Sequence, residues 1–116
     1  IYQAQRNLVT INEKVSVWRI SDGWYLKYFD GSSAAFSHDG GLLAVGTRES
    51  SINFYETDNW TLLETVGILE EEQPIVEGNF FGYIRGSSVA FLQFANQGKL
   101  LISVTDGNII QLWGVP

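Results

Sequence analysis

The residues equipped for chemistry are few. One histidine, His38, stands beside Asp39 in "SHDGG" (37–41), and the chain has no cysteine. Nucleophilic catalysis needs a base held against a hydroxyl or thiol, and a lone His in a Gly-rich stretch reads as a solvated turn residue, with Asp39 as a turn former. Consecutive Glu70, Glu71 and Glu72, with Glu77 close behind, form the densest carboxylate run. Neighbouring positions fix no ligand geometry, and "TDGN" (105–108) is too short for a calcium loop. Gly40 and Gly41 lie between two strand-like runs and open no helix, so no phosphate cradle is expected. No pair of carboxylates is singled out for glycoside chemistry. "NWT" (59–61) matches a glycosylation acceptor that a secreted eukaryotic chain would use. The expectation is a protein without catalytic residues, metal or cofactor.

Charge narrows the partners. Thirteen acids against seven bases give a net charge of −6 over 116 residues, which repels nucleic-acid phosphates and anionic lipid surfaces. No apolar run approaches the ~20 residues of a spanning helix. Nucleic acid and membrane are therefore not expected as partners, and protein is. Composition leaves the compartment open. The opening "IYQAQRN" carries neither an initiator Met nor a signal-peptide core, and the expectation is a portion of a longer chain.

The elements that would position these groups repeat. "AAFSHDGGLLAVGTRESSINFYE" (34–56) overlays "LQFANQGKLLISVTDGNIIQLWG" (92–114) without a gap at a spacing of 58, matching Phe36 to Phe94, Gly40 to Gly98, Leu43 to Leu101, Thr47 to Thr105 and Ile52 to Ile110. A third copy opens the chain: Tyr2, Leu8 and Val9 align with Phe36, Leu42 and Leu43, and Val15, Val17 and Trp18 with Ile52, Phe54 and Tyr55, across a hairpin three residues shorter. Each copy reads as a short strand, a Gly- or Asn-containing turn, an apolar second strand ("LLAVG", "LLISV") and a hairpin into an alternating third strand ("VSVWR", "INFYE", "IIQLW"). After the first two copies, "SDG" and "TDN" lead to fourth strands begun by Trp24 and Trp60, whose equivalent places point to structural packing. Lys27 and Glu64 mark those strands as outer edges, and the second strand is expected between sheets.

"FSHDGGLLAVG" and "TDGNIIQLW" resemble the WD-repeat (tryptophan-aspartate repeat) β-propeller family, whose units are four-stranded blades of roughly 40 to 45 residues. The resemblance implies an all-β fold of consecutive four-stranded antiparallel propeller blades, about three and incomplete, in one partial propeller domain over residues 1–116. The blades fall at about 1–30, 31–66 and 87–116. It is a divergent match: the family's Trp-Asp pair stands here as Trp18-Arg19, Tyr55-Glu56 and Trp113-Gly114, and its Gly-His as Gly31-Ser32 and Gly86-Ser87. The family's hydrogen-bonded network is expected to survive in part in the third copy, through Asp106, Trp113 and one of Ser103 or Thr105.

Propellers typically close with about four to eight blades. Three imply either a portion of a larger ring or self-association through exposed blade faces. Residues 66–86, "VGILEEEQPIVEGNFFGYIRG", are an insert between the second and third copies. Glu70, Glu71, Glu72 and Glu77 against Arg85 give the insert half of the chain's net charge, and Phe80, Phe81 and Tyr83 follow. One reading is a recognition loop with aromatic anchors inside an acidic rim, attracting a basic peptide or protein. The other is an edge cover with solvated glutamates. The resemblance implies a non-enzymatic scaffold for protein–protein interaction. The alternative is part of a ligand-binding or enzymatic propeller whose central-channel site needs blades this chain lacks.

Overall fold

The computed structural model describes residues 6–67, 88–106 and 110–115. Ten strands account for most of them: β1 (Asn7–Ile11), β2 (Val15–Arg19), β3 (Tyr25–Phe29), β4 (Ser33–Phe36), β5 (Leu42–Gly46), β6 (Ser51–Glu56), β7 (Leu62–Gly67), β8 (Val89–Ala95), β9 (Leu100–Thr105) and β10 (Ile110–Gly114). They form three antiparallel meanders, β1-β2-β3, β4-β5-β6-β7 and β8-β9-β10. We call these sheets 1, 2 and 3. The β-branched and aromatic content of each run favours a pleated, half-buried surface, and the Gly, Asn and Asp clusters between runs supply the turns.

The sheets stack in one direction. Side chains alternate across a strand, so each sheet has a forward face, toward the next sheet, and a rear face. Val15 and Val17 on the forward face of sheet 1 are fully buried against Leu43 and Val45 on the rear face of sheet 2, with Phe29, Phe36 and Tyr55 around them. Ala44 and Ile52 on the forward face of sheet 2 pack in the same way against Leu92 and Leu101 on the rear face of sheet 3, with Phe54, Phe94 and Trp113 alongside. β5 is therefore enclosed on both faces, as its apolar sequence requires, with Leu43, Ala44 and Val45 fully buried. β3 and β7 are sheet edges, and most of their residues are exposed, Lys27 and Glu64 among them.

Sheets 2 and 3 approach most closely at their first strands. The hydroxyls of Ser32 and Ser33 both donate to the Val89 carbonyl, at 2.8 and 2.7 Å, and the Val89 amide donates to the Thr47 carbonyl at 2.9 Å. A glycine makes this approach possible. A Cβ on Gly46 would lie 2.5 Å from Ser33 Oγ and 2.6 Å from both Cβ and Cγ1 of Val89.

Two alignments read from the sequence need correction. Trp18 faces Leu8, Tyr55 faces Leu43 and Trp113 faces Leu101, so Leu8 is the counterpart of Leu43, not of Leu42. Ile11 and Val15 pair across three residues and Gly46 and Ile52 across five, so the first hairpin is shorter by two residues instead of three. Trp24 and Trp60 are likewise not equivalent, and neither begins its strand. The Arg19 amide bonds the Trp24 carbonyl and the Glu56 amide that of Thr61, which makes Trp24 the counterpart of Thr61 and Trp60 the counterpart of Gly23. Both Gly23 and Trp60 have left-handed backbone, φ 71° and 59°. Trp60 holds that conformation while packing on Phe29 of sheet 1, ring centroids 6.1 Å apart, whereas Trp24 is 63% exposed.

Candidate functional site

The insert expected at 66–86 starts two residues later than its sequence suggests. Val66 and Gly67 belong to β7, where they pair with Ile52 and Ser51. Glu70, Glu71, Glu72, Phe80, Phe81, Tyr83 and Arg85, the residues singled out for partner binding, lie outside the described residues. The places where the chain leaves and returns are well defined. Gly67 pairs with Ser51 on one side of the β5–β6 hairpin, and Val89 bonds the Thr47 carbonyl on the other. Both roots of the segment therefore flank one hairpin.

That hairpin is braced by its own side chains. The Thr47 hydroxyl oxygen accepts from the amides of Glu49 and Ser51, at 3.1 and 3.2 Å, and lies 2.7 Å from the Ser51 hydroxyl. This ST-turn arrangement satisfies amides that a tight hairpin leaves unpaired. A guanidinium nitrogen of Arg48 donates to the Glu13 carbonyl at 3.0 Å, tying the β5–β6 hairpin to the β1–β2 hairpin of sheet 1. The Asp106 amide donates to the Ser88 carbonyl at 3.0 Å, fastening the return point to the end of β9. The two roots thus stand on the rim formed by the β1–β2 and β5–β6 hairpins and the end of β9.

Of the polar network implied by the resemblance, the described residues show the bond of Trp113. The Trp113 indole N–H donates to Ser103 Oγ at 3.0 Å, so Ser103 and not Thr105 is its partner. Sheet 1 has the same device, which the sequence reading missed: the Trp18 indole N–H donates to Thr10 Oγ1 at 2.9 Å. Thr10 lies two residues beyond Leu8, as Ser103 lies two beyond Leu101, and correct strand register would have revealed the pair. In sheet 2 these places hold Tyr55 and the apolar Val45. Ser32, where the family has His, uses its hydroxyl to cross to Val89 of the next sheet. Arg19, where the family has Asp, makes paired hydrogen bonds to the Asp22 carboxylate at 3.1 and 3.0 Å. Those bonds, with the Trp24 amide, hold the Asp22 carboxyl below its ordinary pKa.

At the opposite end of the sheets, a shallow cleft of about 560 Å³ opens between the β4–β5 turn and the 3-10 turn over Asn96–Gly98, with His38, Asp39, Glu56 and Gln97 on its walls. Asp39 accepts from the Gly41 amide and the Ser37 hydroxyl, both at 2.9 Å. These bonds favour the charged form and lower its pKa, the amide contributing most. Asp39 is therefore a turn-closing anion, as its sequence context suggests, and His38 is an exposed residue of the same turn. Among the described residues no group of three His, Asp or Glu has the proximity to hold a metal ion.

Three antiparallel meanders packed face to face define the fold as consecutive β-propeller blades. Solved structures agree: the chain is similar to the WD40 repeats of RRP9, with a TM-score of 0.66 and 19% identity over 99% of this chain and 34% of that one. It is also similar to hydrazine synthase of Kuenenia stuttgartiensis, with a TM-score of 0.73 and 13% identity over 99% of this chain and 31% of that one. The chain spans about a third of the length of each. No protein-family model matches it. No curated protein matches it. One structural neighbour bears an enzyme's name and the other is described by its repeats, so the shared architecture defines fold and leaves activity to the site.

Proposed function

We propose that the chain is a non-enzymatic propeller segment that serves as a protein–protein interaction scaffold, with residues 68–87 as its recognition element for a basic peptide or protein surface. The observation that carries this reading is the rooting of that segment. Both of its ends are strand-bonded on either side of the Thr47–Ser51 hairpin, so a rigid rim carries a stretch that concentrates Glu70, Glu71, Glu72 and Glu77 beside Phe80, Phe81 and Tyr83. Recognition loops characteristically stand on such scaffolds. Clustered like charge steers an oppositely charged partner, while aromatic side chains supply the buried contact area.

The test is binding of a fluorescent lysine-rich peptide to the wild-type chain and to Glu70→Gln/Glu71→Gln/Glu72→Gln, over a range of salt concentrations. Wild-type affinity is expected to fall as salt rises, and the variant to bind weakly with a flatter salt dependence. Equal affinity and equal salt dependence for the two proteins would remove the recognition role.

A further inference from the structure

Asn59 has a sequence context that no other asparagine shares. Trp60 and Thr61 follow it with the spacing of an N-glycosylation acceptor, and no other asparagine in the chain has Ser or Thr two residues on. The three residues lie in the turn between β6 and β7, where the chain enters the edge strand of sheet 2.

The turn presents them unequally. Asn59 and Thr61 are exposed, while Trp60 between them packs inward on Phe29 of sheet 1. Trp60 has left-handed backbone, φ 59°, and its amide donates to the Glu56 carbonyl at 2.8 Å. Thr57 anchors the same turn, its buried hydroxyl donating to the Gly40 carbonyl at 2.7 Å. Asn59 then closes it with its own side chain: Oδ1 accepts from the Thr61 amide at 3.1 Å, an Asx-turn. That bond occupies the carboxamide oxygen, and among the described residues no acceptor pairs with the nitrogen, Nδ2. The nitrogen is the atom that glycosylation uses.

Beside the turn the surface is apolar. Leu62 and Leu63, which open β7, are 51% and 53% exposed on an edge strand whose one charge is Glu64. Proteins cover or charge such edges. In sheet 1 the corresponding turn carries the Arg19–Asp22 ion pair and the edge strand carries Lys27, whereas sheet 2 has the acceptor triplet.

We propose that Asn59 is an N-glycan acceptor and that the glycan shields the Leu62–Leu63 end of β7. The donor class is an oligosaccharide carried on a lipid pyrophosphate. In the transfer, Asn59 Nδ2 forms a bond to the anomeric carbon, the bond from that carbon to the pyrophosphate oxygen breaks, and the lipid pyrophosphate leaves with the electron pair. The carboxamide nitrogen gives up one proton to a base of the transferase. A glycan is bulky and solubilising at a surface site, and the exposed Asn59 offers it a place that leaves the packing of Trp60 intact. The turn lies at the far end of β6 from the Thr47–Ser51 hairpin, so the proposal does not depend on the scaffold reading.

Translation of the full chain behind a cleavable export signal into eukaryotic microsomes tests the acceptor, read as intact mass before and after treatment with a peptide N-glycosidase. The wild type is expected to gain one oligosaccharide, which the glycosidase releases to leave Asp in place of Asn59. Asn59→Gln and Thr61→Ala are expected to stay unmodified, and Thr61→Ser to be modified. An unmodified wild type overturns the site, and so does a glycan that persists in Asn59→Gln. Light scattering during heating of the purified glycosylated chain tests the shielding. The deglycosylated chain and Asn59→Gln are expected to aggregate at lower temperature, and equal onset for all three overturns the covering role.

Discussion

Replacing Gly46 with alanine tests the closest contact between sheets 2 and 3. The added Cβ would stand 2.5 Å from Ser33 Oγ and 2.6 Å from Val89 Cβ and Cγ1, about 1 Å inside ordinary contact distances. Ser33 could rotate only by surrendering its hydrogen bond to the Val89 carbonyl in a site where it is 3% exposed. Val89 Cβ is fixed to its backbone, so relief there requires β8 to move, against its bond to Thr47. Overpacking of a tight core costs about 1–3 kcal/mol and a stranded buried hydroxyl about 1–3 kcal/mol more. The expected loss is roughly 2–6 kcal/mol, a large fraction of the ~5–15 kcal/mol that stabilises a typical domain. Urea unfolding followed by tryptophan fluorescence reads it directly, as a midpoint lowered by roughly 1–3 M at an unchanged slope. Gly67→Ala is the control, because nothing lies within 4 Å of its Cβ position and its midpoint should hold or rise slightly. Equal midpoints for the two variants would refute the account of how these sheets are joined.

Ser103→Ala strands the Trp113 indole N–H inside the contact between sheets 2 and 3, and urea unfolding should register a loss of about 1–2 kcal/mol. Asp39 has a folded pKa below its ordinary value of 3.8, set by the Gly41 amide and then the Ser37 hydroxyl. The stability it contributes is present above that ordinary value and is lost as pH falls through the lower folded one. Asp39→Asn should therefore flatten the acid limb of stability measured between about pH 5 and pH 2, and an unchanged limb would contradict the assignment.

Much of the architecture was legible in the chain. "LLAVG", apolar at every position, could satisfy itself only with sheets on both sides, and β5 has them; "LLETV", with its Glu64, belonged at an edge, and β7 is one. What failed was register. Side chains alternate with period two, so a one-residue slip exchanges the faces of a strand, and Leu8, which sequence similarity aligns with Leu42, is by register the counterpart of Leu43. The two tryptophans misled for a related reason. Nothing in "TDNW" announces that Trp60 occupies the left-handed position that Gly23 fills in the preceding blade, so similarity alone aligns tryptophan with tryptophan. Register also hid the Trp18–Thr10 pair. As for the candidate site, sequence identified a charged aromatic insert and structure supplied its roots, Gly67 and Val89; its glutamates and aromatics, from Glu70 to Arg85, lie outside the described residues.

The placement of those roots has a practical consequence. Closing a chain segment between fixed ends becomes only slightly less favourable with length, by about 0.6 kcal/mol for each doubling. Gly67 and Val89 are each anchored by ladder or backbone hydrogen bonds to the same hairpin. A foreign peptide joined between these two anchors would have both of its ends held beside Thr47 and Ser51, which makes this hairpin the place to graft a chosen binding sequence.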